Sequence, residues 1–95
     1  MGLEFEWDPV NAKINFEKHG VRFEEAMAVF DDECSITCYD FTHSEDEDRF
    51  LDIGIAANGK VILVCYTERD NRIRMIHFRK ADKEERRFYE NEKIK

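Results

Sequence analysis

Residues 72–89, RIRMIHFRKADKEERRFY, alternate apolar and basic side chains through the first half and become densely charged in the second, which predicts a strand running directly into a helix. Arg74, Arg79 and Lys80 gather around the junction, with Arg86 and Arg87 just beyond, in a chain whose formal net charge is -7. A local cationic cluster in so acidic a chain marks a site rather than a bias of composition. Asp82 offers an N-cap oxygen and Glu85 follows three residues later, the spacing of a capping box, so the helix should start immediately behind the basic residues.

Working outward, Asn58-Gly59 is a strong hairpin signal joining a strand over 49–57 to one over 60–69, and Asp70-Asn71 makes the next tight turn because both residues tolerate left-handed backbone. A further strand is expected over 35–41, followed by a polar, acidic loop over 43–48. Four consecutive strands then form an antiparallel meander. With two-residue turns at both hairpins, one face carries Leu51, Ile53, Ile55, Ile62, Val64, Tyr66, Met75 and His77, with Arg49 and Arg79 at its margins, and should bury against helices. The other carries Phe50, Asp52, Leu63, Cys65, Thr67, Arg74, Ile76, Phe78 and Lys80, a mixed surface suited to a partner or ligand. One extra residue in the second loop would exchange the faces of the last strand.

At the other end, Leu3, Phe5 and Trp7 alternate with glutamates as a short half-buried strand. Asp8 and Pro9 then start a helix that Gly20 stops, with Lys18 and His19 at its negative end. Phe23, Ala26, Met27 and Phe30 recur at the spacing of a second short amphipathic helix. The expected class is α+β, one domain over 1–95 with an antiparallel sheet packed by two N-terminal helices and a C-terminal one. Its 95 residues and 42% hydrophobic content support one modest core and no second. Nothing resembles a membrane span or a signal peptide, and three cysteines lack the pattern of a disulfide framework, so a cytoplasmic protein is expected. Cys34, Cys38 and His43 lack the tight pairs of structural zinc sites, so no metal is expected, and no cofactor. The acidic pI near 4.9 excludes generic coating of nucleic acid, leaving only local contacts.

The blocks FEWDPVNAKINFEKHGVRFEEAMAVF, EDRFLDIG and VCYTERDNRIRMIHFRKADKEERRFYE resemble the BrnT family of type II toxin components across nearly the whole chain. The resemblance implies a fold similar to RelE-type ribonuclease toxins, inhibition of translation by RNA cleavage, and neutralisation by a BrnA-like antitoxin, through which alone operator DNA is reached. Residue by residue, it marks Lys18, His19, Arg49, Arg74 and Arg79 as catalytic candidates, with Lys80 as a substrate-binding one. The chain departs from the family's pattern at Asn11, at Arg22, at His77-Phe78 and in the heavy acidic run over 45–48.

Cleavage through a 2'-hydroxyl needs a base and cations. Arginines hold phosphate oxygens bidentately and stay charged, and an imidazole titrates near neutrality. His19 is the family-matched candidate base and His77 an extra one; the charge of His19 would equally cap its helix, and His77, on the face expected to be buried, reads more readily as a packed, hydrogen-bonded histidine. Phe88 and Tyr89 should dock the last helix. A non-catalytic interaction module of the same fold, using the basic cluster to hold an acidic or helical segment, is the alternative.

Overall fold

The computed structural model describes residues 4–42 and 44–94, so Leu3 and His43 of the expectations above lie outside it. In chain order the elements are β1 (Glu4–Glu6), α1 (Pro9–His19), α2 (Phe23–Val29), β2 (Ile36–Tyr39), β3 (Phe50–Ile55), β4 (Val61–Arg69), β5 (Arg72–Lys80) and α3 (Lys83–Ile94). The cues that set their ends are visible as contacts. Asp8 accepts from the Val10 N–H at 2.9 Å ahead of Pro9, and Gly20, at φ 70°, donates back to the Phe16 carbonyl. At α3, the Asp82 N–H reaches Glu85 Oε1 and the Glu85 N–H reaches Asp82 Oδ1, both at 2.8 Å, which closes the expected capping box.

The strand order is β1-β5-β4-β3-β2, with β2 to β5 a consecutive antiparallel meander. The wholly antiparallel sheet expected from sequence is corrected in one respect. β1 pairs with β5 in parallel, Glu4 beside Arg72 and Glu6 beside Arg74, so the sheet is mixed. Alternation in a three-residue strand reports half-burial but not direction, and the long passage through α1 and α2 allows a parallel return.

Two irregularities correct the expected faces. Ile55 pairs with Val61, and Gly59, at φ 86°, donates to the Ala56 carbonyl, so the hairpin loop is Ala57-Asn58-Gly59, a turn followed by a left-handed glycine, and not a two-residue turn. That single residue reverses β3 relative to β4. Asp70-Asn71 is the expected two-residue turn, both residues at positive φ (49° and 65°), but a bulge follows: Tyr66 pairs with Met75 and Cys65 with His77, leaving Ile76 unmatched. Beyond it β5 is reversed too. Leu51, Ile53, Ile55, His77, Arg49 and Arg79 therefore leave the face assigned to them, and Phe50, Asp52 and Phe78 take it.

On that face Val21, Ala26 and Val29 pack with Ile62, Val64, Tyr66, Met75 and Phe78, and Ala12 of α1 lies against the same cluster. Tyr89 of α3 lies on the opposite side against Ile53 and Leu63, whereas Phe88 is 44% exposed and does not dock the helix. Asp32, just past α2, ties the layers together by accepting from the Tyr89 hydroxyl, the Ile55 N–H and the Cys34 N–H. Beyond Glu6, where β1 ends, the edge of β5 is covered by α1. Buried Asn15 accepts the Phe78 N–H at 3.2 Å and donates to the Asn11 carbonyl at 2.7 Å.

Candidate active site

Because α3 covers only part of its side of the sheet, a cleft of about 470 Å³ remains beside it. Its floor is apolar, from Leu51, Leu63, Cys65 and Ile76; its polar lining is Asp40, Thr42, Arg49, His77, Arg79 and Glu85. The two reversals described above are what bring Arg49, His77 and Arg79 here. With regular register all three would have pointed at α1 and α2.

Arg79 holds Glu85 in a two-pronged pair, Nη1 to Oε1 at 2.8 Å and Nη2 to Oε2 at 3.0 Å, and Nη1 also reaches the Lys80 carbonyl at 3.1 Å. Glu85 Oε1 takes the Asp82 N–H as well, so the carboxylate that caps α3 also orients the guanidinium. Those hydrogen bonds to Glu85 raise Arg79 above its ordinary value. Arg49 enters from the start of β3, its backbone N–H on Ser44 Oγ at 2.9 Å, and Ser44 and Asp40 close the neck of the loop before it. Arg49 Nε is buried with no hydrogen-bond partner among the described residues. An unsatisfied buried guanidinium donor favours an incoming acceptor.

The ring of His77 meets that of His19 edge to face, with centroids 5.3 Å apart. Burial, with the charges of His19, Arg79 and Lys18, holds His77 below the ordinary imidazole value. Burial pushes the Cys65 thiol up, Asp40 adding to the effect and Arg49 opposing it, so it stays protonated.

Of the residues marked from sequence, Arg49 and Arg79 share the cleft. Lys18 and His19, at the end of α1, do not line it, though the His19 ring meets that of His77. Arg74 is drawn off by Glu6 at 3.6 Å on the β1–β5 pair, and Lys80 is exposed near the hairpin with Lys60, Arg86 and Glu90. Neither lines the cleft. Sequence reasoning named His77 only as an extra candidate base, favoured a packed core histidine because of the face assigned to it, and saw Glu85 only as a cap. Glycine after Asn58 is a signal that a three-residue loop would also use; nothing in the composition of β5 announces its bulge.

Among the described residues no cluster of three metal-ligating side chains occurs, and no helix is long and apolar enough to cross a membrane. A family model described as "Ribonuclease toxin, BrnT, of type II toxin-antitoxin system" matches residues 7–85, which include every residue lining the cleft. The chain belongs to the BrnT family. Membership makes it a toxin of a type II toxin–antitoxin system, and so a protein with an antitoxin partner. Among solved structures it is similar to the Brucella abortus ribonuclease toxin BrnT, with a TM-score of 0.66 and 18% identity, over 86% of this chain and 100% of that one. At that identity the likeness to the Brucella BrnT is one of fold. No curated protein matches the sequence.

Proposed function

We propose that this BrnT-family toxin is a metal-independent endoribonuclease of the RelE-like kind, a single domain over 1–95 that acts in the cytoplasm, stops translation by cutting RNA, and is neutralised by a BrnA-like antitoxin that alone contacts operator DNA. The observation behind it is the convergence of Arg49, Arg79 and His77 around one apolar-floored cleft in a chain of net charge -7. A nucleotide fits such a cleft, its base against the floor and its phosphate on the guanidiniums.

The RNA 2'-hydroxyl attacks the adjacent phosphorus while the bond to the 5'-oxygen breaks, leaving a cyclic phosphate and a free 5'-hydroxyl. Charge gathers on the non-bridging oxygens, where oriented guanidiniums act most strongly. Arg79 is oriented by Glu85, and Arg49 has a donor in want of an acceptor. The test is cleavage of a defined RNA by the purified protein, together with growth arrest on induction that co-expressed antitoxin relieves. Intact RNA and normal growth with folded protein present would sink this reading.

The Arg79–Glu85 pair favours one alternative, a non-catalytic interaction module in which a partner's carboxylate replaces Glu85 on the same fork. It predicts tight binding of an acidic segment that Arg79→Ala abolishes, with no RNA cut.

A further inference from the structure

We propose that His77, rather than His19, is the catalytic base of this cleft, a role that rests on the ribonuclease reading above. The bulge at Ile76 sets His77 opposite Cys65 and Arg79 opposite Leu63, so the two are successive residues on the cleft side of β5, about 7 Å apart along the strand. A phosphate held by Arg79 thus places its neighbouring ribose toward the imidazole. His19 lies behind that ring, on α1, and does not line the cleft.

The other titratable groups of the lining are committed elsewhere. Glu85 has both oxygens on Arg79 and one also on the Asp82 N–H. Asp40 is buried at 7% exposure and accepts the Thr42 N–H, and Cys65 keeps its proton. His77 offers a nitrogen lone pair where these do not. The charged groups around it are Lys18 and His19 from α1, Arg79 on its own strand, Arg49 from β3, and the carboxylates Asp40 and Glu85. Burial and the cations at its back keep the ring neutral near pH 7, the state a base requires.

In the reaction the 2'-hydroxyl proton passes to a ring nitrogen of His77 as the new O–P bond forms. The departing 5'-oxygen takes a proton from solvent, and the imidazolium returns one to solvent, so protons balance over the cycle. Lys18 and His19 act through His77 as positioning charges.

The test measures cleavage of a defined RNA oligonucleotide between pH 5 and 9 by the full chain and by His77→Gln, His77→Gly and His19→Gln, with folding followed by circular dichroism. His77→Gln should lose on the order of a hundredfold in kcat, with little change in KM, and lose the acid limb of the profile. Added imidazole should restore rate to His77→Gly. His19→Gln should move the acid limb to higher pH, because a neighbouring positive charge is gone. His77→Gln cutting with the wild-type rate and profile overturns the proposal but leaves the ribonuclease reading intact, as does a misfolded His77→Gln joined to a His77→Gly that imidazole does not rescue. Wild-type protein that cuts no RNA at any of these pH values overturns both.

Discussion

On the ribonuclease reading Arg79 is the side chain whose loss should cost most, since it lines the cleft and its fork is held by Glu85, which also caps α3. Arg79→Ala should lower RNA cleavage by about a hundredfold or more, and Arg79→Lys should rescue poorly because a point charge does not reproduce two parallel donors. Its part-exposed pair with Glu85 contributes modestly to stability, so melting should shift little; a folded Arg79→Ala protein that cuts normally removes this residue from the mechanism. Asp52 makes a different kind of statement. It is 4% exposed on the face under α2, and burial raises its carboxyl above the ordinary 3.8 despite hydrogen bonds from Thr37 and Tyr66. A carboxyl raised in the folded state contributes stability that is complete below pH 3.8 and is lost as pH rises through its folded value. At pH 7, well above the ordinary 3.8, the buried carboxyl is therefore a burden on stability. Asp52→Asn should raise the melting temperature at pH 7 and lose that advantage below about pH 4; an equal gain at every pH would exclude ionisation as the cause.

Between elements, two contacts decide how the layers sit. Gly54 leaves room for α2: a Cβ there would stand 2.8 Å from Val29 Cγ1, a buried and χ1-restricted side chain that cannot swing away cheaply. Gly54→Ala should cost about 1–3 kcal/mol through overpacking, read as a lower denaturant midpoint at unchanged slope. At the edge of β5, Asn15 replaces the strand partner that β1 no longer provides. Asn15→Ala would leave the Phe78 N–H buried without an acceptor, costing about 1–3 kcal/mol, and should speed exchange of that one amide before global unfolding. Protection of Phe78 unchanged in the variant would show that α1 does not seal this edge.

For the whole molecule, charge sets the mode of binding. A chain of net charge -7, with Glu47 holding Arg69 at 2.8 Å and Glu6 holding Arg74, is a poor general partner for a nucleic-acid backbone. If Arg49 and Arg79 supply the phosphate contacts, the logarithm of RNA affinity should fall with log salt at a slope of about -1.4, the shallow value for two contacts on a single strand. A slope several times steeper would mean that a wider surface takes part.

The elements themselves were legible because their signals are local. Asp8-Pro9 and Gly20 bound the first helix, Asp82 and Glu85 start the last, and Asp70-Asn71 makes its tight turn, each within a few residues of chain. The family blocks were legible too, and with them Arg49 and Arg79, which the structure brings into one cleft. What only the tertiary structure decided was parity and pairing: a third residue in the loop before Lys60 and one unmatched residue at Ile76 each shift a two-residue period by one. That shift moves His77, Arg49 and Arg79 from a supposed core to an open cleft, while the parallel pairing of β1 with β5 lets remote Glu6 claim Arg74. Period-two patterns leave strand faces ambiguous under such insertions, because the choice between a regular ladder and a bulge lies in the packing of α1, α2 and α3 on the two sides of the sheet.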